Sequence, residues 1–347
     1  MKRIALLIIG FAVFAFADAG SLMTEGTKLH DEGRYDEAIA KYKQAEKLDP
    51  NNALVKYEIS YSYYMKRDMK ESLRYIKAAA KVNKDLRLND AIYGMMGTIY
   101  DDSNKPDSAL TAYRKGASFN QNSYLLPFNA AITFRRLEKP DSAKVWLKKS
   151  LANTKLHETS HLQMFAVSKQ LGQWVDFYSY AMYTPFVAKK RENTSTALSD
   201  LYNVTKSLVN CENKKKCDLN LPKLKTTSDE DLAVVSVLAF AQLQDSVGHR
   251  HYYEKDTSSA QQMEFLVHMV TEAVKIIADF KDTKNTGNTL TEFYKGLVKN
   301  KLVEAFAYTV CKDADYPTYA KWKLSHGADI ERLYKWANED FLGAKGK

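Results

Sequence analysis

Lys105-Pro106-Asp107-Ser108-Ala109 and Lys139-Pro140-Asp141-Ser142-Ala143 spell the same five residues 34 positions apart. Proline suits the first turn of a helix, where no amide donor is needed, and Asp and Ser suit a helix N-terminus. Alanine lets a partner helix approach closely. Each copy therefore predicts a turn followed by the opening of a helix. The same frame extends backward: Ser72 lies 37 residues before Ala109, in Met69-Lys70-Glu71-Ser72-Leu73, and Ala38 lies 34 before that, in Tyr35-Asp36-Glu37-Ala38-Ile39. The three extra residues fit the loop between Lys84 and Leu88. Self-similarity at this period marks stacked helical hairpins that bury their apolar faces against one another.

The first copy, Gly26 to Asn51, carries Gly33-Arg34-Tyr35-Asp36-Glu37-Ala38-Ile39, then Tyr42, Ala45, Leu48 and the closing Asp49-Pro50-Asn51-Asn52. The second keeps Tyr63, Ser72 and Ala79; the third Gly97, Tyr100, Ala109 and Tyr113; the fourth Ala131, Phe134, Ala143 and Leu147. A fifth, degenerate unit runs from Glu158 to Pro185, with Phe177 in the place of the small residue. This pattern resembles the tetratricopeptide repeat family, whose unit is a pair of antiparallel helices. The expected fold is all-α: residues 1–19 form a leader, a solenoid of four or five such units covers residues 20–186, a basic connector covers 187–227, and a further α-helical region of no recognised family covers 228–347.

The resemblance implies that the first helix of each unit lines a groove. On those faces the second copy offers Tyr57, Tyr61 and Tyr64, whose spacing of four and three puts three phenols on one helical stripe. The third offers Thr98, Asp101 and Asp102, and the fourth Phe128, Ile132, Arg135 and Arg136. An aromatic wall beside a basic pair suits an extended peptide or short helix carrying an acidic residue. Inter-repeat packing by the tyrosines is the competing use. The Lys and Asn residues with which some members of the family clamp a C-terminal carboxylate have no counterpart, because Met23 and Thr27 stand on the face of the first copy. The expected function is a scaffold for a protein or peptide, with no cofactor and no catalysis.

His157-Glu158-Thr159-Ser160-His161 matches H-E-x-x-H, in which two histidines one turn apart ligate zinc and the glutamate activates water. Its surroundings do not support a peptidase: Gln163 and Lys155 bring polarity where apolar residues are usual, and Met164 and Val167 stand where a longer zinc motif continues with glycine and histidine. Glu192 as third ligand lies in no matching motif. A zinc-dependent peptidase using His157, Glu158 and His161 is the alternative to the scaffold.

The N-terminus has Lys2 and Arg3, an apolar run from Ile4 to Ala17, and Ala17-Asp18-Ala19 before Gly20. That is the form of a bacterial-type secretory signal, too short to span a bilayer, and it predicts an exported chain, periplasmic or secreted, with no transmembrane helix after cleavage. Removing it takes the formal charge from +9 to +8. So moderate an excess, spread along the chain, does not point to nucleic acid; contact with an anionic envelope polymer is a third reading. Export to an oxidising compartment predicts that Cys211 pairs with Cys217 across Glu212 to Lys216, leaving Cys311 as a buried apolar residue. In the C-terminal region, helices are expected over about 229–244, 259–280 and 289–310. Capping boxes at Ser228/Asp231 and Thr289/Glu292 start the first and last of these. The middle one is the expected buried centre. Glu264, His268 and Glu272 form a polar stripe on it, and His249-Arg250-His251 lies in a loop.

Overall fold

The computed structural model describes residues 19–189, 191–213, 216–219, 231, 234–236, 238, 258–280 and 290–342. Residues 1–18 of the expected leader, Lys223 and Lys225 of the expected connector, Ser228, His249-Arg250-His251 and Thr289 lie outside the described residues. The chain divides into two compact units between Asn153 and Thr154.

The first unit is a series of antiparallel helix pairs: α1 (residues 19–31) with α2 (Tyr35–Leu48), α3 (Ala53–Met65) with α4 (Met69–Val82), α5 (Asn89–Asp102) with α6 (Pro106–Phe119), and α7 (Leu125–Arg136) with α8 (Pro140–Asn153). Both KPDSA copies do what their composition predicts: α6 and α8 begin at their prolines, and Ala109 and Ala143 are fully buried. Ala38 and Ser72 are equally buried in the same frame. Serine is tolerated there because its hydroxyl is satisfied across the hairpin. Ser72 Oγ donates to the Ser60 carbonyl at 2.9 Å, and Ser60 Oγ to the Ser72 carbonyl at 2.8 Å. The extra residues of the second copy form a loop ending in a short 3₁₀ turn, Leu86–Leu88.

Each hairpin turns through one left-handed residue. Gly33, Arg67, Asn104 and Glu138 have φ of 76°, 64°, 56° and 53°. In each case the next amide reaches back five residues, as in Lys105 N–H to the Tyr100 carbonyl at 2.8 Å and Lys139 N–H to the Phe134 carbonyl at 2.9 Å. This is the Schellman closure, which satisfies carbonyls that the ending helix leaves open. Close helix contact follows from missing side chains: a Cβ on Gly97 would lie 2.2 Å from the Tyr113 ring, and one on Gly26 would lie 2.4 Å from the Tyr42 ring.

The second unit holds α9 (Glu158–Leu171), α10 (Trp174–Val187), α11 (Arg191–Ser207), α12 (Ser259–Asp279), α13 (Thr291–Lys299), α14 (Val303–Cys311) and α15 (Tyr316–Trp336). Its centre is α10, which is buried on every side from Trp174 to Pro185, whereas α12 buries one face, including Phe265, Met269 and Val274. The N-terminus of α10 is capped from far along the chain: buried Asp231 accepts the Val175 amide at 2.7 Å. Phe177 fits where a small residue stands in the other copies because it packs against the rings of Phe165 at 5.2 Å and Trp174 at 5.3 Å.

Two expectations are corrected here. The single helix expected to reach Val310 is two, α13 and α14, broken at left-handed Lys301, whose neighbour Leu302 closes the same turn onto the Leu297 carbonyl at 2.8 Å. The Cys211 to Cys217 segment is an antiparallel hairpin rather than a loop, with β1 (Val209–Asn213) paired to β2 (Lys216–Leu219) and a register shift between Cys211 and Asn213. Apart from these strands, the regular structure of the described residues is helical. α15 departs from helical geometry at His326, beside Gly327.

Candidate functional site

The first helices α1, α3, α5 and α7 carry the candidate groove residues, and the structure brings some of them together. Tyr57 and Tyr61, half-buried, stack with centroids 6.4 Å apart, and Tyr61 stacks on His30 of α1 at 4.6 Å. His30 Nδ1 shares a hydrogen bond of 2.9 Å with Ser62 Oγ, and burial holds its imidazole below the ordinary 6.5, against the raising effect of Asp31. Burial also raises the Tyr57 phenol and, with help from Asp31, the Glu58 carboxyl. The result is a ladder of three rings crossing from α1 to α3.

Tyr64 does something else. Its hydroxyl donates to Asp102 Oδ2 at 2.6 Å, tying α3 to α5; burial and this carboxylate push the phenol up to about 12. Asp101 ties α5 to α7 in the same way, accepting from Thr133 Oγ1 at 2.9 Å and from Arg136. Arg136 is thus engaged in holding consecutive repeats together; Arg135 is exposed beside it, and Phe128 is half-buried nearer the start of α7. All three tyrosines also lean on the apolar cluster of Ile76, Ala79, Ile92, Met95 and Ile99. They pack between repeats and remain partly exposed. His30 is the member that reading the sequence missed. It sits 34 residues before Tyr64, so the repeat frame itself placed it on this face.

The HETSH residues have local structural roles. His157 opens α9, and its Nδ1 lies 2.7 Å from Ser160 Oγ, while Glu158 Oε2 accepts the Lys189 amide. His161 is 2% exposed, and its Nε2 lies 2.8 Å from the Lys155 carbonyl. A carbonyl only accepts, so Nε2 carries the proton, and the bare, buried Nδ1 has no hydrogen-bond partner among the described residues. Burial pushes this imidazole down to about 4. Among the described residues no three His, Cys, Asp or Glu side chains are grouped to hold a metal ion. On the α12 stripe, Glu272 pairs with Lys275 at 2.8 Å. Cys311 is fully buried at the end of α14, and burial raises its thiol.

No helix among the described residues is long and apolar enough to cross a membrane. Two family models match the chain, one described as TPR repeat over residues 26–66 and one as tetratricopeptide repeat over residues 91–123. No curated protein matches it. Similar solved structures include YrrB, a TPR protein with an unusual peptide-binding site, at 17% identity over 53% of this chain and 91% of that one, with a TM-score of 0.41. MamA is similar at 17% identity over 45% and 89%, TM-score 0.40. PilF of Pseudomonas aeruginosa is similar at 13% over 55% and 93%, TM-score 0.43. With matched repeats in the first and third hairpins, the N-terminal half of this chain is a tetratricopeptide-repeat array, a protein-interaction scaffold.

Proposed function

We propose that this is an exported scaffold of the cell envelope whose first helices hold an extended or helical segment of a partner protein. The observation that carries the reading is the ladder of His30, Tyr61 and Tyr57, three stacked rings, each only half-buried. Aromatic rings give an interface large contact area at low cost in side-chain freedom, and Arg135 at the far end of the array supplies charge for orientation. Export is supported by the basic start, apolar run and Ala17-Asp18-Ala19 of the leader.

Two measurements test it. Fractionation and N-terminal sequencing should find the chain in the envelope beginning at Gly20; a cytosolic chain that keeps Met1 rejects the export half. Crosslinked capture from envelope extract should fall about thirtyfold in affinity for Tyr57→Ala and Tyr61→Ala, the loss of about 2 kcal/mol that aromatic anchors carry. Melting curves run alongside should barely move. If capture falls only in proportion to lost folding, the ladder is packing and the groove reading fails.

A further inference from the structure

The opposite flank of α5 carries a second kind of surface. At 3.6 residues per turn, Tyr93, Met96 and Tyr100 fall within roughly 60° of one another and face away from Thr98, with Asp101 roughly a quarter-turn round the helix. They floor a cavity of about 570 Å³ between α4 and α6, within the roughly 300–1,000 Å³ typical of ligand clefts. Lys77, Lys81 and Lys115 stand around it, all exposed. Among the described residues none of the three pairs with a carboxylate, although elsewhere in this unit Lys41 reaches Glu25 and Lys56 reaches Glu46, both at 2.5 Å. Two of them lie over aromatic rings instead: Lys77 Nζ is 5.6 Å from the Tyr100 centroid, and Lys115 Nζ is 5.5 Å from that of Tyr93.

The next crevice repeats the device. Between α6 and α8 a cavity of about 390 Å³ is lined by Trp146, with Arg114 and Lys149 beside it. Lys149 Nζ is 4.3 Å from the Trp146 ring, and it stands 34 residues after Lys115, at the equivalent position of the next repeat. Two adjacent crevices thus combine an aromatic wall with cationic side chains that form no ion pair among the described residues, Asp107 being the one carboxylate in the lining of the first. A groove of this charge, with apolar floors at successive repeats, selects for apolar side chains set in a run of carboxylates.

We infer that the second helices α4, α6 and α8 form a second docking surface, separate from the ring ladder, for an extended acidic peptide segment that places an apolar or aromatic side chain in each crevice. The test uses the full chain and a labelled probe peptide in which phenylalanines alternate with glutamate pairs, with a control in which glutamine replaces glutamate. Fluorescence anisotropy should show the glutamate peptide binding about tenfold more tightly than the control, with affinity falling as salt is raised. Combining Lys77→Gln, Lys81→Gln and Lys115→Gln should cost about tenfold. Thr111→Trp, at an exposed position on the rim of the larger cavity, should block binding with no change of charge. Asp107→Asn, which removes the acidic group at that rim, should instead strengthen binding about twofold, a gain that damaged folding cannot imitate. The inference is overturned if both peptides bind equally, if the lysine and Thr111 variants bind like the parent, or if Tyr61→Ala abolishes binding while they do not. It is also overturned if the peptide fails to bind and the surface takes inorganic polyphosphate or a second copy of the chain instead.

Discussion

Lowering the pH from 7 toward 4 asks the imidazole of His161 to take a proton at a place where nothing receives it. Its Nε2 hydrogen already goes to the Lys155 carbonyl, and Nδ1 is buried without a hydrogen-bond partner among the described residues, in a ring whose centroid lies 5.7 and 4.8 Å from those of Tyr180 and Tyr183. The unfolded chain binds this proton below the ordinary 6.5, while the folded chain resists until about 4. The stabilisation is therefore complete above 6.5 and is lost as pH falls to about 4, because throughout that window the unfolded state holds more protons. A gap of that size is worth about 3 kcal/mol in all, of which about 2 kcal/mol falls between pH 7 and 4.5. Urea unfolding across this range, followed by tryptophan fluorescence with Trp174 adjacent in the same unit, measures it directly. His161→Phe keeps an aromatic ring against the tyrosines and should show a pH slope shallower by that amount, whatever its absolute stability. An imidazole midpoint near 6.5 by NMR, or an unchanged slope in the variant, would refute the reasoning. Zinc that raises the melting temperature of the parent but not of His161→Phe would do the same, since it would require the bare Nδ1 to be open to a ligand rather than buried.

Two further outcomes follow from backbone geometry. Glu138→Gly should raise stability by about 1 kcal/mol, since a left-handed residue with a side chain is strained and glycine is not, whereas Ser142→Gly inside α8 should lower it by a similar amount; a loss for both in thermal melts would mean that the turn stores no strain. Cys211 stands directly opposite Cys217 in the β1–β2 register, a cross-strand separation that a disulfide can bridge. Mass spectrometry of the chain isolated under oxidising conditions should find the pair oxidised, with reduction costing about 2 kcal/mol by the chain-entropy relation, and free thiols on both would reject the pairing.

The hairpins were legible because close packing restricts residue size at fixed offsets. Gly26, Ala38, Gly97, Ala109 and Ala143 sit where a neighbouring helix leaves no room, and such a constraint leaves a periodic mark in a single sequence. The tyrosine stripe was legible only as a stripe. Helical periodicity places Tyr57, Tyr61 and Tyr64 together, but the bond from Tyr64 to Asp102 spans 38 residues, and it decides that Tyr64 serves the repeat contact while Tyr61 joins His30. The outer crevices lay beyond reach for a similar reason. Lys77 and Tyr100 come from different repeats, and nothing local to either announces their meeting. Asp231 likewise reads as the start of its own helix, although its carboxylate caps α10 56 residues away.

The turns show why one feature can be hidden in sequence and constant in structure. Gly33 announces a left-handed residue; Arg67 and Glu138 do not, yet all three close the same backbone hydrogen bond. The conformation is imposed by the need to end one helix and begin an antiparallel one within a few residues, and it overrides side-chain preference at a cost of roughly 1–2 kcal/mol. Since closure and not residue type sets the geometry, the same turn recurs in the second unit at Gly172 and Lys301, with φ of 68° and 56°. Five residues beyond each left-handed position stands the residue that faces the partner helix: Ala38, Ser72, Ala109 and Ala143 in the array, but Phe177 and Phe306 in the second unit, all fully buried. A small residue there leaves the paired helices a surface that can stack on the next pair, whereas the Phe177 ring fills that space by packing on Phe165 and Trp174. The turn makes a hairpin in either case, and the size of that one buried side chain separates a repeat that stacks from a hairpin that builds a core of its own.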